Sequence, residues 1–206
     1  ASALLGAPDY EEVDSIALGR APRLDSSIET ALLLAALADR AGDKVHLIVL
    51  DSAVRARVSG VRGATVIETL AHTFTDISPR LDVTDWSEMV STVERTVPHS
   101  AFVVIATKIP PAGMETEFTD ALARLSDRHT VLVASATDPD EIRARAGRED
   151  AEQVFLAASA SLAERSDEAG ATDARLAGAL TVRASAGLLP ARTADRYIEL
   201  KKSGRL

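Results

Sequence analysis

The chain contains no cysteine, which excludes disulfides, thiolate zinc sites and cysteine nucleophiles and fits a reducing compartment. Aromatic residues make up only 3% of it, so the core has to be built from Leu, Val, Ile and Ala. Basic residues are in the minority: 23 Lys and Arg stand against 31 Asp and Glu, a net charge of −8. A nucleic-acid binder presents the opposite balance. Long apolar runs are missing too. The longest, Ala31 to Ala38, falls far short of the roughly 20 residues of a membrane-spanning helix, and there is no signal-peptide pattern. Glycine-rich phosphate loops, a G-x-S-x-G elbow and an H-E-x-x-H pair are all absent. Catalytic chemistry therefore has no motif to rest on. The sequence opens at Ala1 without Met, as a fragment of a longer protein would.

What is present is an alternation of strands and helices. With 206 residues and 46% apolar content, the chain suffices for one domain. Its centre is Lys44 to Asp51, KVHLIVLD, whose Val45 to Leu50 reads as a strand buried on both faces. Before it, Ser26 and Glu29 form an S-x-x-E capping box that predicts a helix from Ser26 to about Ala41, buried on most of its circumference and stopped by Gly42. After it, Val54 to Gly60 alternates apolar with polar residues, as an antiparallel edge strand does. A helix from Ala64 to Phe74 follows, with Ile67, Leu70, Ala71 and Phe74 on one face. Asp85 and Glu88 predict a second capped helix, whose stripe is Trp86, Met89, Val90, Val93 and Val97. Ala101 to Ala106 reads as another fully buried strand, Glu115 to Asp127 as a helix, and Thr130 to Ala136 as a strand. Asp138-Pro139 is a turn. Arg148 to about Ala177 is helical, with Gly170 as a point of kinking or division. Leu180 to Ala184 is a weak strand, and Pro190 starts the last helix. This order predicts an α/β domain with a mostly parallel sheet, helices on both faces and one antiparallel edge strand.

Ligands on such sheets bind beyond the carboxyl ends of the strands. Four carboxylates flank those ends: Asp14, Asp51, Asp85 and Asp138. Oxygen ligands there are the chemistry of Mg²⁺, but Asp51 and Asp138 also suit turns and Asp85 a helix cap. Lys108 emerges where a strand meets the same edge. It reads as a solvated loop lysine, or as a cation paired with Asp14 or Asp85 in the place of a metal. The four histidines, His46, His72, His99 and His129, are scattered and read as structural or solvated.

Four stretches together carry a resemblance: RLDSSIETALLLAALADRAGDKV (Arg23 to Val45), TDWSEMV (Thr84 to Val90), RHTVLVASATDPD (Arg128 to Asp140) and RYIELKKSGRL (Arg196 to Leu206). In order and spacing they resemble the von Willebrand factor A-like fold, a three-layer, Rossmann-type sheet. More narrowly, the chain resembles number fifty-eight among the domain-of-unknown-function families. The resemblance covers about Asp14 to Leu206, leaving residues 1–13 as an N-terminal segment. It implies a bacterial, non-enzymatic adaptor or scaffold module, the partner of a MoxR-type AAA+ ATPase or its client in a chaperone-like assembly system. It also implies a cytoplasmic domain that many members hold at the membrane through upstream segments. An A-domain of this kind places a cation on D-x-S-x-S, a second-loop Thr and a third-loop Asp. Here Asp14 and Thr84 match, but Ile16 and Leu18 stand at the two Ser positions and Lys108 at the Asp. The resemblance thus implies a degenerate cation site and no cofactor. The expected interaction face is Asp14, Thr84, Asp85 and Lys108 with the loop Ile109 to Gly113. Mg²⁺ binding stays open only if the first loop is misaligned. The strand that should run into Asp14 reads DYEEV. Either it is very short, or residues are missing between Tyr10 and Gly19.

Overall fold

The computed structural model describes residues 22–80, 82–137, 139–147 and 150–206. Among them, seven α-helices and five strands follow one another in a mixed α/β order. Helix α1 spans Pro22–Arg40, and β1 (Val45–Leu50) pairs antiparallel with β2 (Val54–Val61). A short 3-10 turn leads into α2 (Val66–Thr75), and α3 (Trp86–Thr96) precedes β3 (Phe102–Ala106). Then come α4 (Thr116–Ser126), β4 (Thr130–Thr137), α5 (Pro139–Ala146), α6 (Ala151–Leu176), β5 (Leu180–Ser185) and α7 (Leu189–Lys202).

Strand β4 is central. It pairs in parallel with β3 on one side and β5 on the other, and Val131 to Ala136 are buried without a break. Its side chains alternate between two cores, because successive residues of a strand point to opposite faces. Val131 and Val133 enter a cluster with Trp86, Met89 and Val90 of α3, Phe118, Leu122 and Leu125 of α4, and Ala171 and Ala174 of α6. Ala134 and Ala136 enter the other, with Ala186 and Leu189 at the start of α7. Helices therefore cover both faces of the parallel sheet. A third cluster, around Ala35, Val66 and Leu70, joins α1 and α2 to the β1–β2 pair.

Several expectations are corrected here. Among the described residues the strands form two sheets, β1-β2 and β3-β4-β5; the strand expected before Asp14 lies outside those residues. Ile48 and Leu50 of β1 nevertheless pack on the same core as Val103 and Ile105 of β3. Neither β1 nor β3 is fully buried: each is half-covered along nearly its whole length, and Ala106 is exposed. Both are edge strands among the described residues, and an edge lacks a neighbour's side chains on one flank. The capping box at Ser26 is not a cap. Helix α1 starts four residues earlier, at Pro22, and Ser26 is buried inside it, where its Oγ donates to the carbonyl of Ala186 at 2.6 Å. A small hydroxyl lets α1 approach the β5–α7 turn closely and satisfies a carbonyl that water cannot reach. Helix α1 is also less enclosed than its apolar run suggested, with Leu33 exposed at 38%. On α2 the buried residues are Val66 and Leu70, while Ile67 is 40% exposed. The turn at Pro139 opens into a separate helix, α5.

Gly170 neither kinks nor divides α6, which runs unbroken for 26 residues. The glycine is buried because the carbonyl of Pro110 lies where a Cβ would stand, with Ile109 Cγ2 3.3 Å from the same point. A glycine inside a helix costs about 1 kcal/mol against alanine, and the close approach of the loop after β3 is what it allows.

Candidate functional site

The carboxyl ends of the strands gather two groups of residues. In the first, Asp85 precedes α3, and its carboxylate accepts from the Glu88 N–H at 2.8 Å. It is the helix cap that the sequence predicts. Its own N–H donates to the Asp51 carbonyl at 2.9 Å, which brings the loop of Thr84 and Asp85 to the end of β1. Asp51 is a turn residue, accepting from Ala53 N–H at 3.3 Å, and its other oxygen faces the Arg55 guanidinium at 3.5 Å. That oxygen is buried and accepts no hydrogen bond among the described residues. One residue on, the Trp86 indole N–H donates to Glu115 at 3.0 Å, tying the start of α3 to the loop after β3.

The second group surrounds Lys108. Its ammonium lies 3.4 Å from Glu141 of α5, and the guanidinium of Arg23, near the start of α1, bonds the same carboxylate oxygen. Among the described residues Lys108 therefore pairs with Glu141 and not with Asp85, which corrects one half of the expected pairing. The other half, with Asp14, lies outside the described residues, as do Ile16, Leu18 and Asp138. Burial pushes the Glu141 carboxyl up, but the charges and hydrogen bonds of Arg23 and Lys108 outweigh it and hold the pKa below the usual glutamate value. Among the described residues two cations thus meet one anion here.

The loop between these groups is anchored. Ile109 is 1% exposed and its N–H donates to the Ser135 hydroxyl at 3.2 Å. Pro110 rests against Gly170. From Gly113 the chain opens to solvent, and Met114 is 73% exposed. An open cleft of about 350 Å³ lies between α4 and the end of α6, lined by Glu115, Asp120 and Asp173 among others. It contains none of Thr84, Asp85 or Lys108.

Sequence reasoning did not single out Arg23 or Glu141. Both sit in helices where a charge reads as solvated, and only the packing of α1 and α5 beside the end of β3 brings them to Lys108. Ser135 left a faint signal as the lone hydroxyl within the apolar run VLVASA. His46 Nδ1 accepts from Gly60 N–H at 3.2 Å, and His129 is buried, with desolvation and then Arg128 lowering its pKa.

These features define a class: an α/β domain with a parallel three-stranded sheet between helices, and a strand edge whose charged side chains cap helices and pair with one another. Residues 11–167 match the family described as "Protein of unknown function DUF58", and the chain belongs to that family. No curated protein and no solved structure matches it.

Proposed function

We propose that this chain is a von Willebrand factor A-like, Rossmann-type domain that works as a non-enzymatic adaptor. Its partner in this reading is a MoxR-type AAA+ ATPase or that ATPase's client, in a cytoplasmic setting. Its working face is the carboxyl edge of the sheet, with Thr84, Asp85 and Lys108 and, if the alignment of the first loop holds, Asp14. Helices on both faces of a parallel sheet, and a β1–β2 pair sharing its core, support the fold. A single A-like sheet needs one more strand between β1 and β3. The sequence assigns that strand to the stretch before Asp14, outside the described residues.

The observation that carries the adaptor reading is the pairing of Lys108 with Glu141. An A-domain cation site keeps a carboxylate at the position of Lys108. Here an ammonium stands there, held by a carboxylate from another helix. Asp85 accepts the Glu88 N–H and the neighbouring side chain at this edge is the cation Lys108, which disfavours an octahedral Mg²⁺ shell among the described donors. A face of this kind docks a protein through its charges and not through a bridging ion.

The test is capture of a MoxR-type AAA+ ATPase, with ATP or ADP, by wild type, Lys108→Glu and Glu141→Gln. The reading expects capture that Lys108→Glu weakens at least tenfold while circular dichroism shows the fold intact. Capture that is absent, or indifferent to Lys108→Glu, removes it. The alternative, a Mg²⁺-dependent A-domain, expects Mg²⁺ over EDTA to stabilise by about 2.7 kcal/mol at a hundred times the dissociation constant, and Asp14→Ala to abolish that gain.

A further inference from the structure

Helix α6 does two different things around its circumference. Its inner face is committed to the fold: Ala171 and Ala174 join the main core, and Glu164 pairs with Arg183 of β5 at 3.2 Å. Its outer face, over the first four turns, packs on nothing among the described residues. Phe155 is 71% exposed and Leu162 68%. Both lie on one side of the helix, seven residues apart, with Ala158 and Ser159 exposed between them. Repeats of seven are the signature of a helix seam that meets another helix. A large aromatic and a leucine side by side in water form an apolar patch with a reason to be covered.

The pattern itself says what covers it. Reading outward from the point between Ala158 and Ser159, each direction meets a small residue, then a large apolar one (Phe155 or Leu162), then a charge. The charges are of opposite sign, Glu152 on one side and Arg165 on the other, and both are exposed. Neither has an ion pair among the described residues. A two-fold interface requires a patch complementary to itself, and this one is. Laid antiparallel about that point, α6 of a second copy would set Phe155 against Leu162 of the partner subunit. It would also set Glu152 against Arg165 of the partner subunit, each pair occurring twice. The small residues at the centre permit an interaxial distance near 8 Å, the short end of helix packing. A parallel alignment would oppose Arg165 to Arg165 and Glu152 to Glu152.

We infer that this chain self-associates through α6 into an antiparallel two-fold dimer. This inference does not depend on the adaptor reading, because α6 and the strand edge use different residues. Four turns of helix from each copy form an interface below about 1,200 Å², the size of weak and transient contacts, so the dimer is concentration-dependent. The experiment is sedimentation equilibrium over about a hundredfold range of concentration reaching the high micromolar. It uses wild type, Phe155→Asp, Leu162→Ala, Glu152→Arg, Arg165→Glu and the double swap Glu152→Arg with Arg165→Glu. Wild type is expected to dimerise. Phe155→Asp and Leu162→Ala should raise the dissociation constant at least tenfold while circular dichroism and melting stay unchanged, since neither side chain is in the core. Each single charge change should weaken the dimer several-fold, and the double swap should restore it. A wild type that stays monomeric throughout overturns the inference. So does a dimer indifferent to Phe155 and Leu162, or a double swap that fails to recover binding.

Discussion

Replacing Gly170 by alanine is the sharpest test of how the loop after β3 is held. The position is inside α6 with ordinary helical backbone, since its φ is not among the positive values found at six other glycines. On propensity alone alanine should stabilise the helix by about 1 kcal/mol. Packing opposes this. The new methyl would overlap the Pro110 carbonyl oxygen and lie 3.2 Å from its carbon. Neither atom is the end of a flexible side chain, and the loop cannot retreat easily because Ile109 is buried and its N–H is bonded to Ser135. Overpacking of this kind costs about 1–3 kcal/mol, and a backbone contact belongs at the upper end. The net expectation is a loss of about 2 kcal/mol, which for a domain of this size lowers the melting temperature by roughly 4–8 °C. Urea unfolding with a two-state fit measures it. Ala169→Gly, one residue away and exposed, is the control and should lose only about 1 kcal/mol. A Gly170→Ala protein as stable as wild type, or more stable, would refute the close approach of Pro110 to α6.

Asp85→Ala should cost about 1 kcal/mol by leaving the Glu88 N–H without its cap. Asp85→Asn should recover most of that in the same melting assay; equal losses in both would mean the cap is not what stabilises α3. Glu141 has a depressed pKa, so its contribution is present above the ordinary glutamate value of 4.5 and is lost as pH falls through the lower folded value. The stability gap between wild type and Glu141→Gln should therefore be widest near neutrality and close on acidification, and a gap constant with pH would contradict the pairing with Arg23 and Lys108. Tyr197 shows the opposite sign. Burial first, then the charge and hydrogen bond of Asp43 at 3.1 Å, push its phenol up to about 12. Its stabilisation is whole below the ordinary value of 10 and is lost as pH rises through 12. The advantage of wild type over Tyr197→Phe in chemical unfolding should shrink across that window; an unchanged advantage would mean the phenol does not ionise there.

Local order was legible in the sequence wherever one periodicity served one packed surface. The stripes Trp86, Met89, Val90 and Val93 of α3 and Phe118, Leu122 and Leu125 of α4 are buried as their 3.6-residue spacing predicts, because each helix meets a single core along one face. Strand β4 reads true because it has neighbours on both sides. Asp85 reads true as a cap because capping involves only the three residues after it. The same signals misled where the partner was remote. Ser26 and Glu29 satisfy the capping-box spacing, yet the hydroxyl of Ser26 bonds a carbonyl 160 residues away.

The sequence by itself determined the α/β order, the main helical cores, the antiparallel β2 and the kind of residue that reaches the strand edge. These rest on hydrophobic period and on contacts between near neighbours, which one chain carries in its own pattern. Only the tertiary structure decided that Lys108 meets Glu141 and Arg23, that Gly170 makes room for Pro110, and that Phe155 and Leu162 look outward. Each of these depends on which elements pack side by side, and residues separated by tens of positions leave no mark on each other's local sequence.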